Sequence, residues 1–237
     1  MKKGVSHIEI ILSFIIFIGA VSAGLYFFNP ISTSKLTDVT FDYAVREIEK
    51  SSSTTITSFS VGINNTAIGY AMYDKDVIGI MIEGVQTGMA TNTSDLNGNG
   101  LKSKREGDNV YVEWDNKDFI KIDFNEEFED DSLSTSGISI DEDFYDIASS
   151  NKETMLSEKK ILELNKSYHL DYFALHDNFN LPSRTNFGFE LDFGNGDTIN
   201  VDRDKPDNIN IFSESKRVKV LRKNGDRKFA DLIVRLW

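Results

Sequence analysis

The sequence predicts an α+β fold in which a long hydrophobic N-terminal helix of transmembrane type precedes a mainly antiparallel β region with short helices. Residues 10–28 contain no charged side chain and are mostly apolar; with Ile8 and Glu9 they reach the length that crosses a bilayer. Further along, β-branched and aromatic runs alternate with Gly and Asn turns, which is typical of strands. Apolar residues at helical spacing predict short helices near 36–50, 155–164 and 170–176.

Composition narrows the classes of function. The formal net charge is -12 and the pI is about 4.7, which argues against nucleic acid as a partner because phosphate binding needs clustered Lys and Arg. Cysteine is absent, which excludes disulfides, zinc–thiolate sites and a thiol nucleophile. The acidic run at 126–131 is predicted to be a solvated loop, with attraction of divalent cations as the alternative.

The N-terminal segment predicts a localisation. Lys2 and Lys3 precede the apolar run and the acidic residues follow it, so we expect a single-pass membrane protein with a cytoplasmic N-terminus and an extracellular body. Membrane lipid would then be a partner. The alternatives are an uncleaved signal anchor, and a secretory signal peptide cleaved after Ala23.

The start of the chain resembles a known family. Lys2-Lys3-Gly4, then Val5 to Glu9, then the apolar stretch, is similar to the class III signal peptide of type IV pilins and pseudopilins, and more closely to archaeal pilin-like proteins. The resemblance implies that a prepilin peptidase cuts after Gly4 and leaves Val5 as the new N-terminus. It also implies that Glu9 pairs with the freed amino group of a neighbouring subunit, since buried charges are tolerated when paired. The partners would be copies of the chain or other pilin-like subunits.

Turn signals and composition divide the chain into five regions. Strong hairpin turns at 194–197 and 224–225 place strands in the last third of the chain. The predicted regions are a signal peptide and helix at 1–30, an amphipathic stalk helix and connector at 31–54, a first β-rich domain at 55–124, an acidic linker at 125–150, and a second α+β domain ending in a β-hairpin at 151–237. Strands of the first domain are predicted at 55–63, 67–73, 77–83, 110–114 and 119–124.

One segment, 95–106, fits the twelve-residue calcium loop template D-x-[DN]-x-[DN]-G-x5-E. Gly100 would allow the sharp turn, and Ca²⁺ is the one cofactor that the sequence suggests. The alternative is a glycine-rich hairpin loop between two strands, which Lys102 at the eighth position favours. The predicted ligands are the side chains of Asp95, Asn97, Asn99 and Ser103, the carbonyl of Leu101 and a bidentate Glu106.

The remaining motifs indicate a non-catalytic surface protein. Asn64, Asn92 and Asn165 each begin an N-x-[ST] glycosylation triplet. No phosphate loop, nucleophile elbow or H-E-x-x-H motif is present, so we expect no enzyme, although paired carboxylates leave a hydrolase open. The predicted function is a pilin-like structural subunit of a cell-surface filament or secretion and adhesion platform. The alternative is a membrane-anchored extracellular binding module, calcium-stabilised or not, that does not polymerise.

Overall fold

The computed structural model describes residues 7–27, 31–64, 77–114, 116–133, 138–140, 142–204 and 209–237. Within these ranges the protein is β-rich, with 43% strand and four helices. The helices are α1 His7–Phe27, α2 Ile31–Ser52, α3 Glu158–Leu170 and α4 Tyr172–Asn178, and a 3-10 turn covers Glu142–Phe144. The strands are β1 Ser53–Ile63, β2 Val77–Met81, β3 Ala90–Asp95, β4 Gly100–Leu101, β5 Ser103–Glu106, β6 Asn109–Glu113, β7 Phe119–Asn125, β8 Ile138–Ser139, β9 Tyr145–Ser157, β10 Phe187–Asp192, β11 Thr198–Val201, β12 Phe212–Leu221 and β13 Arg227–Leu236.

The strands form two sheets. The larger has nine strands in the order β11-β10-β13-β12-β9-β1-β7-β3-β4, and the smaller has four in the order β5-β6-β2-β8. Neighbouring strands are antiparallel except for β2 with β8 and β9 with β12. The β9–β12 ladder has only two residue pairs, Val220 with Leu156 and Leu221 with Ser157, so it joins the two halves of the large sheet over a short seam.

The first hydrophobic core lies between β10–β13 and helices α2–α4. Phe187, Phe189 and Leu191 alternate with Gly and Glu along β10, and all three are fully buried on one face of the strand. On α2, Phe41, Ala44/Val45 and Ile48 recur every three to four residues and bury one stripe of the helix.

The second core is a sandwich of the small sheet on strands β1 and β7. Ile120, Ile122 and Phe124 alternate along β7 and face Ile80 and Val112 of the small sheet. The charged and polar side chains between them, such as Asp123, point to the opposite face of the large sheet.

That opposite face is covered by the turn that joins β12 to β13. We call residues 222–226 the hairpin tip. Leu221, which precedes the tip, packs with Ile56 of β1 and Met155 of β9 in a small third cluster. Arg227, which follows the tip, reaches Asp123 on β7 with 2.6 Å between Nη2 and Oδ2. The tip therefore lies across β9, β1 and β7 and packs the two halves of the sheet together.

The predicted transmembrane helix is wrong, and with it the predicted fold class and localisation. Among the helices that the structure describes, none is both long and apolar enough to cross a membrane. This finding contradicts both the transmembrane helix of the predicted α+β class and the single-pass placement with a cytoplasmic N-terminus.

Other differences concern the boundaries of elements. The predicted helix at 155–164 begins only at Glu158, because β9 continues through Met155 and Ser157 caps the helix by accepting from the Lys160 amide at 3.1 Å. The predicted strand at 67–73 lies outside the described residues. The large sheet contains strands from both 55–124 and 151–237, and the five predicted regions stay predictions.

Candidate functional site

Helix α1 exposes an apolar surface on all sides. Side chains between 9 and 25 belong to neither large core, and apart from Gly24 each is exposed. A soluble helix usually buries its apolar residues along one stripe, so a helix that is apolar all round indicates burial by another molecule. The exposed large side chains, with exposed fractions of 41–69%, form what we call the α1 surface: Ile10, Ile11, Leu12, Phe14, Ile15, Ile16, Phe17, Ile18, Val21 and Leu25.

Glu9 is the one acidic residue in the first turn of α1, and it is exposed. A carboxylate in this position is favoured by the partial positive charge at the helix N-terminus. Gly4 and Val5, the predicted processing positions, lie outside the described residues. The roles predicted for Gly4, Val5 and Glu9 stay predictions.

The predicted calcium loop is a hairpin turn between β3 and β4. The Asp95 carboxylate accepts hydrogen bonds from the backbone amides of Asn97 and Asn99, both at 2.9 Å, and from Asn99 Nδ2 at 2.9 Å. These hydrogen bonds, chiefly those from Asn99, hold the pKa of Asp95 below its usual value. The sharp turn falls at Gly98, with φ of 82°, and Gly100 belongs to β4.

The other predicted ligands have partners of their own. Ser103 is buried on β5 of the small sheet, where its hydroxyl accepts from Thr91 Oγ1 at 3.1 Å. Glu106 pairs with Lys104 Nζ at 3.0 Å. Over the part of the chain that the structure describes, no group of three or more His, Cys, Asp or Glu side chains is placed to hold a metal ion.

The three predicted glycosylation asparagines differ in access. Asn64 is exposed just after β1. Asn92 is half-buried on β3 beneath the hairpin tip, and a Cβ added to Gly225 would lie 2.3 Å from its Nδ2. Asn165 is half-buried on α3, and its Oδ1 is buried without a hydrogen-bond partner in the described structure. Of the three, Asn64 is therefore the most exposed within the described residues.

Sequence reasoning missed the role of the acidic run, which we call the acidic strap (residues 126–131). Asp130 Oδ1 accepts from the backbone amides of Thr91 and Arg105, each at 3.2 Å, and Asp131 Oδ2 accepts from the Ser103 amide at 2.9 Å. The strap thus joins β3 of the large sheet to β5 of the small one, where we expected a solvated loop. The sequence shows the run of carboxylates, but it does not show that backbone amides from distant strands donate hydrogen bonds to them.

Comparison with known proteins adds no relative. No family model matches the chain, and searches of curated proteins and of solved structures find no match.

Proposed function

We propose that this chain is a pilin-like structural subunit of a filament or platform, in which α1 packs against α1 of neighbouring copies and the β-rich body faces outward. The observation that carries the proposal is the α1 surface, with exposed fractions up to 69% at Leu25. An apolar surface of this extent marks a site of association.

A bundle of identical helices would bury this surface. Side chains around the whole circumference are apolar, so each copy can contact several neighbours at once, whereas a dimer would cover a single stripe. Burial of apolar area contributes about 25 cal/mol per Å², so a helix with ten large exposed apolar side chains supplies a strong driving force.

Glu9 would set the register of such a bundle. A carboxylate carried into an apolar assembly is tolerated when a cation lies beside it, and the resemblance to type IV pilins indicates the amino group of Val5 in an adjacent copy. Removing the carboxylate would leave that cation unpaired, so the proposal makes Glu9 a residue of assembly.

The body would serve as the outward part. The chain has 38 acidic residues against 26 basic, and all of them except Lys2, Lys3 and Glu9 lie beyond α1, so neighbouring bodies repel while the helices attract. The predicted calcium loop has no part in this proposal, because the Asp95 carboxylate already accepts three hydrogen bonds.

The test is assembly of the full chain produced together with a prepilin peptidase. Mass spectrometry would identify the mature N-terminus, which we expect at Val5, and electron microscopy with sedimentation would measure assembly. We expect filaments or large particles from the unchanged chain, few from Glu9→Gln and none from Ile15→Asp, which puts an unpaired charge in the middle of α1.

Glu83→Gln is the matched control, since it removes the same charge from an exposed turn after β2. It should assemble like the unchanged chain. A chain that stays monomeric at every concentration, or an Ile15→Asp variant that assembles normally, would overturn the proposal.

A further inference from the structure

A cavity of about 570 Å³ lies between the hairpin tip, helix α3, strand β3 and the acidic strap. We call it the tip groove. Its volume falls within the range of about 300–1,000 Å³ that small-molecule sites occupy. The groove is built by the same crossing of the tip over the sheet that brings Arg227 to Asp123, so its walls come from segments far apart in the chain.

Three lysines line the tip groove without an ion pair in the described part of the chain. Lys159 and Lys166 stand two turns apart on α3, and Lys223 belongs to the hairpin tip. Other cations nearby are neutralised: Arg222 lies 3.1 Å from Glu158, and Lys160 lies 2.8 Å from Glu126. Although Glu129, Asp131 and Glu163 also line the groove, none of them lies at ion-pair distance from these three lysines, so their ammonium groups are available to an anionic ligand.

The rest of the lining is suited to hydroxyl groups. Asn92 and Asn224 supply amides that can both donate and accept, and the exposed carboxylates of Glu129 and Glu163 accept only. In the groove wall, Glu127 Oε1 is buried; Lys160 Nζ lies 3.8 Å away, beyond hydrogen-bond distance, and no described residue donates a hydrogen bond to it. A hydroxyl group or a water beside this oxygen would donate the missing hydrogen bond.

An apolar contact completes the site. Phe128 of the strap is half-buried, packs against the third cluster and lines the groove, where it supplies an apolar contact for the C–H face of a sugar. A ligand that combines carboxylates, hydroxyls and a C–H face therefore matches the lysines, the amides and acceptors, and Phe128. A polyacidic peptide matches less well, because its side chains offer Glu129 and Glu163 no hydroxyl donors.

We propose that the tip groove binds a short acidic saccharide. Its carboxylates contact Lys159, Lys166 and Lys223, and its hydroxyls contact Asn92 and Asn224. Binding at this site does not require assembly through α1, so the binding experiment and the assembly experiment test separate proposals.

The experiment is calorimetric titration of the full chain with trigalacturonate, with the neutral trisaccharide maltotriose and with triglutamate. We expect binding of trigalacturonate that weakens as salt is added, and much weaker binding of the other two. Lys166→Gln and Lys223→Gln should each weaken it about 5- to 10-fold, since each removes a charge-assisted hydrogen bond.

Lys152→Gln is the control, because Lys152 is an exposed lysine on β9 outside the groove lining. It changes the net charge equally and should leave the affinity unchanged. The proposal is overturned if trigalacturonate does not bind, if maltotriose or triglutamate binds as tightly, or if Lys152→Gln weakens binding as much as the groove variants.

Discussion

Arg227 at the start of β13 and Asp123 on β7 form an ion pair at 2.6 Å, although three strands separate β13 from β7 in the order of the sheet. Arg227 also donates to Ser58 Oγ at 3.2 Å, and Ser58 Oγ donates to Asp123 Oδ1 at 2.5 Å. The pair closes the hairpin tip onto the other half of the sheet.

Breaking this pair should destabilise the protein. The side chains of Arg227 and Asp123 are 19% and 12% exposed, so removing Arg227 leaves a largely desolvated carboxylate whose remaining cation in the described structure is Lys121, at 3.2 Å. We expect Arg227→Gln to lower the free energy of unfolding by about 2–3 kcal/mol in urea titration. Arg217→Gln, at a pair with Asp231 whose side chains are 63% and 42% exposed, should lower it by less than about 1 kcal/mol. Equal losses at the two positions would contradict the assigned role of Arg227.

A side chain at Gly225 should destabilise the protein. Its φ is 86°, and a Cβ there would lie 2.3 Å from Asn92 Nδ2. Gly225→Ala should therefore be destabilised by the backbone cost of about 1 kcal/mol and by a smaller steric cost, since the end of the Asn92 side chain must move away. Gly84 has a φ of 77° and open space around it, so Gly84→Ala isolates the backbone cost. Thermal unfolding of both variants and of the double variant Asn92→Ala/Gly225→Ala would separate the two costs. A double variant whose Tm is no higher than that of Gly225→Ala would contradict the steric clash.

Calcium should not stabilise the Asp95 turn. The carboxylate already accepts three hydrogen bonds from Asn97 and Asn99, and the predicted ligands Ser103 and Glu106 are held by other partners, so few oxygens remain to surround a cation. We expect the same Tm by calorimetry with millimolar calcium and with chelator, and a lower Tm for Asp95→Ala in both. A rise in Tm with calcium that Asp95→Ala abolishes would restore the predicted calcium loop.

Tyr168 should make the protein sensitive to alkali. Burial raises the pKa of Tyr168, and its hydroxyl donates to the Phe187 carbonyl at 2.5 Å. The pKa of Tyr168 is higher in the folded state than in the unfolded state. The contribution of Tyr168 to the free energy of unfolding is therefore complete below the unfolded pKa of about 10 and is lost as the pH rises above that value.

Urea denaturation at neutral pH and above pH 10 would measure this loss. Tyr168→Phe should be less stable at neutral pH by about 1 kcal/mol, because the Phe187 carbonyl loses its donor, and should decline less steeply in alkali. Tyr111→Phe, at a half-buried position on β6, is the comparison. A Tyr168→Phe variant with the alkaline slope of the unchanged chain would contradict the argument.

The sequence was informative where apolar residues alternate. β7 was predicted at 119–124 and is found at Phe119–Asn125, because Ile120, Ile122 and Phe124 mark its buried face. β3 was missed because its buried face is Thr91, Thr93 and Asp95, which no hydrophobic pattern reveals.

Contacts between distant segments were beyond any local pattern. The acidic strap, the crossing of the hairpin tip and the tip groove depend on which strands lie side by side, and spacing along the chain does not determine that. The lysines of the groove illustrate the limit: Lys159 and Lys223 are 64 positions apart and meet only because β12 joins β9 at Leu156 and Ser157.

The pairing of β1 with β9 has a consequence for how the chain acquires its structure. Thr55 and Thr154, which face each other in the middle of the large sheet, are 99 positions apart. Closing so large a loop is entropically slow, and a ribosome must release most of the body before β1 has both of its neighbours. Until then β1 presents an unpaired edge, so aggregation of newly made chains, rather than loss of the finished fold, is where this topology is most vulnerable.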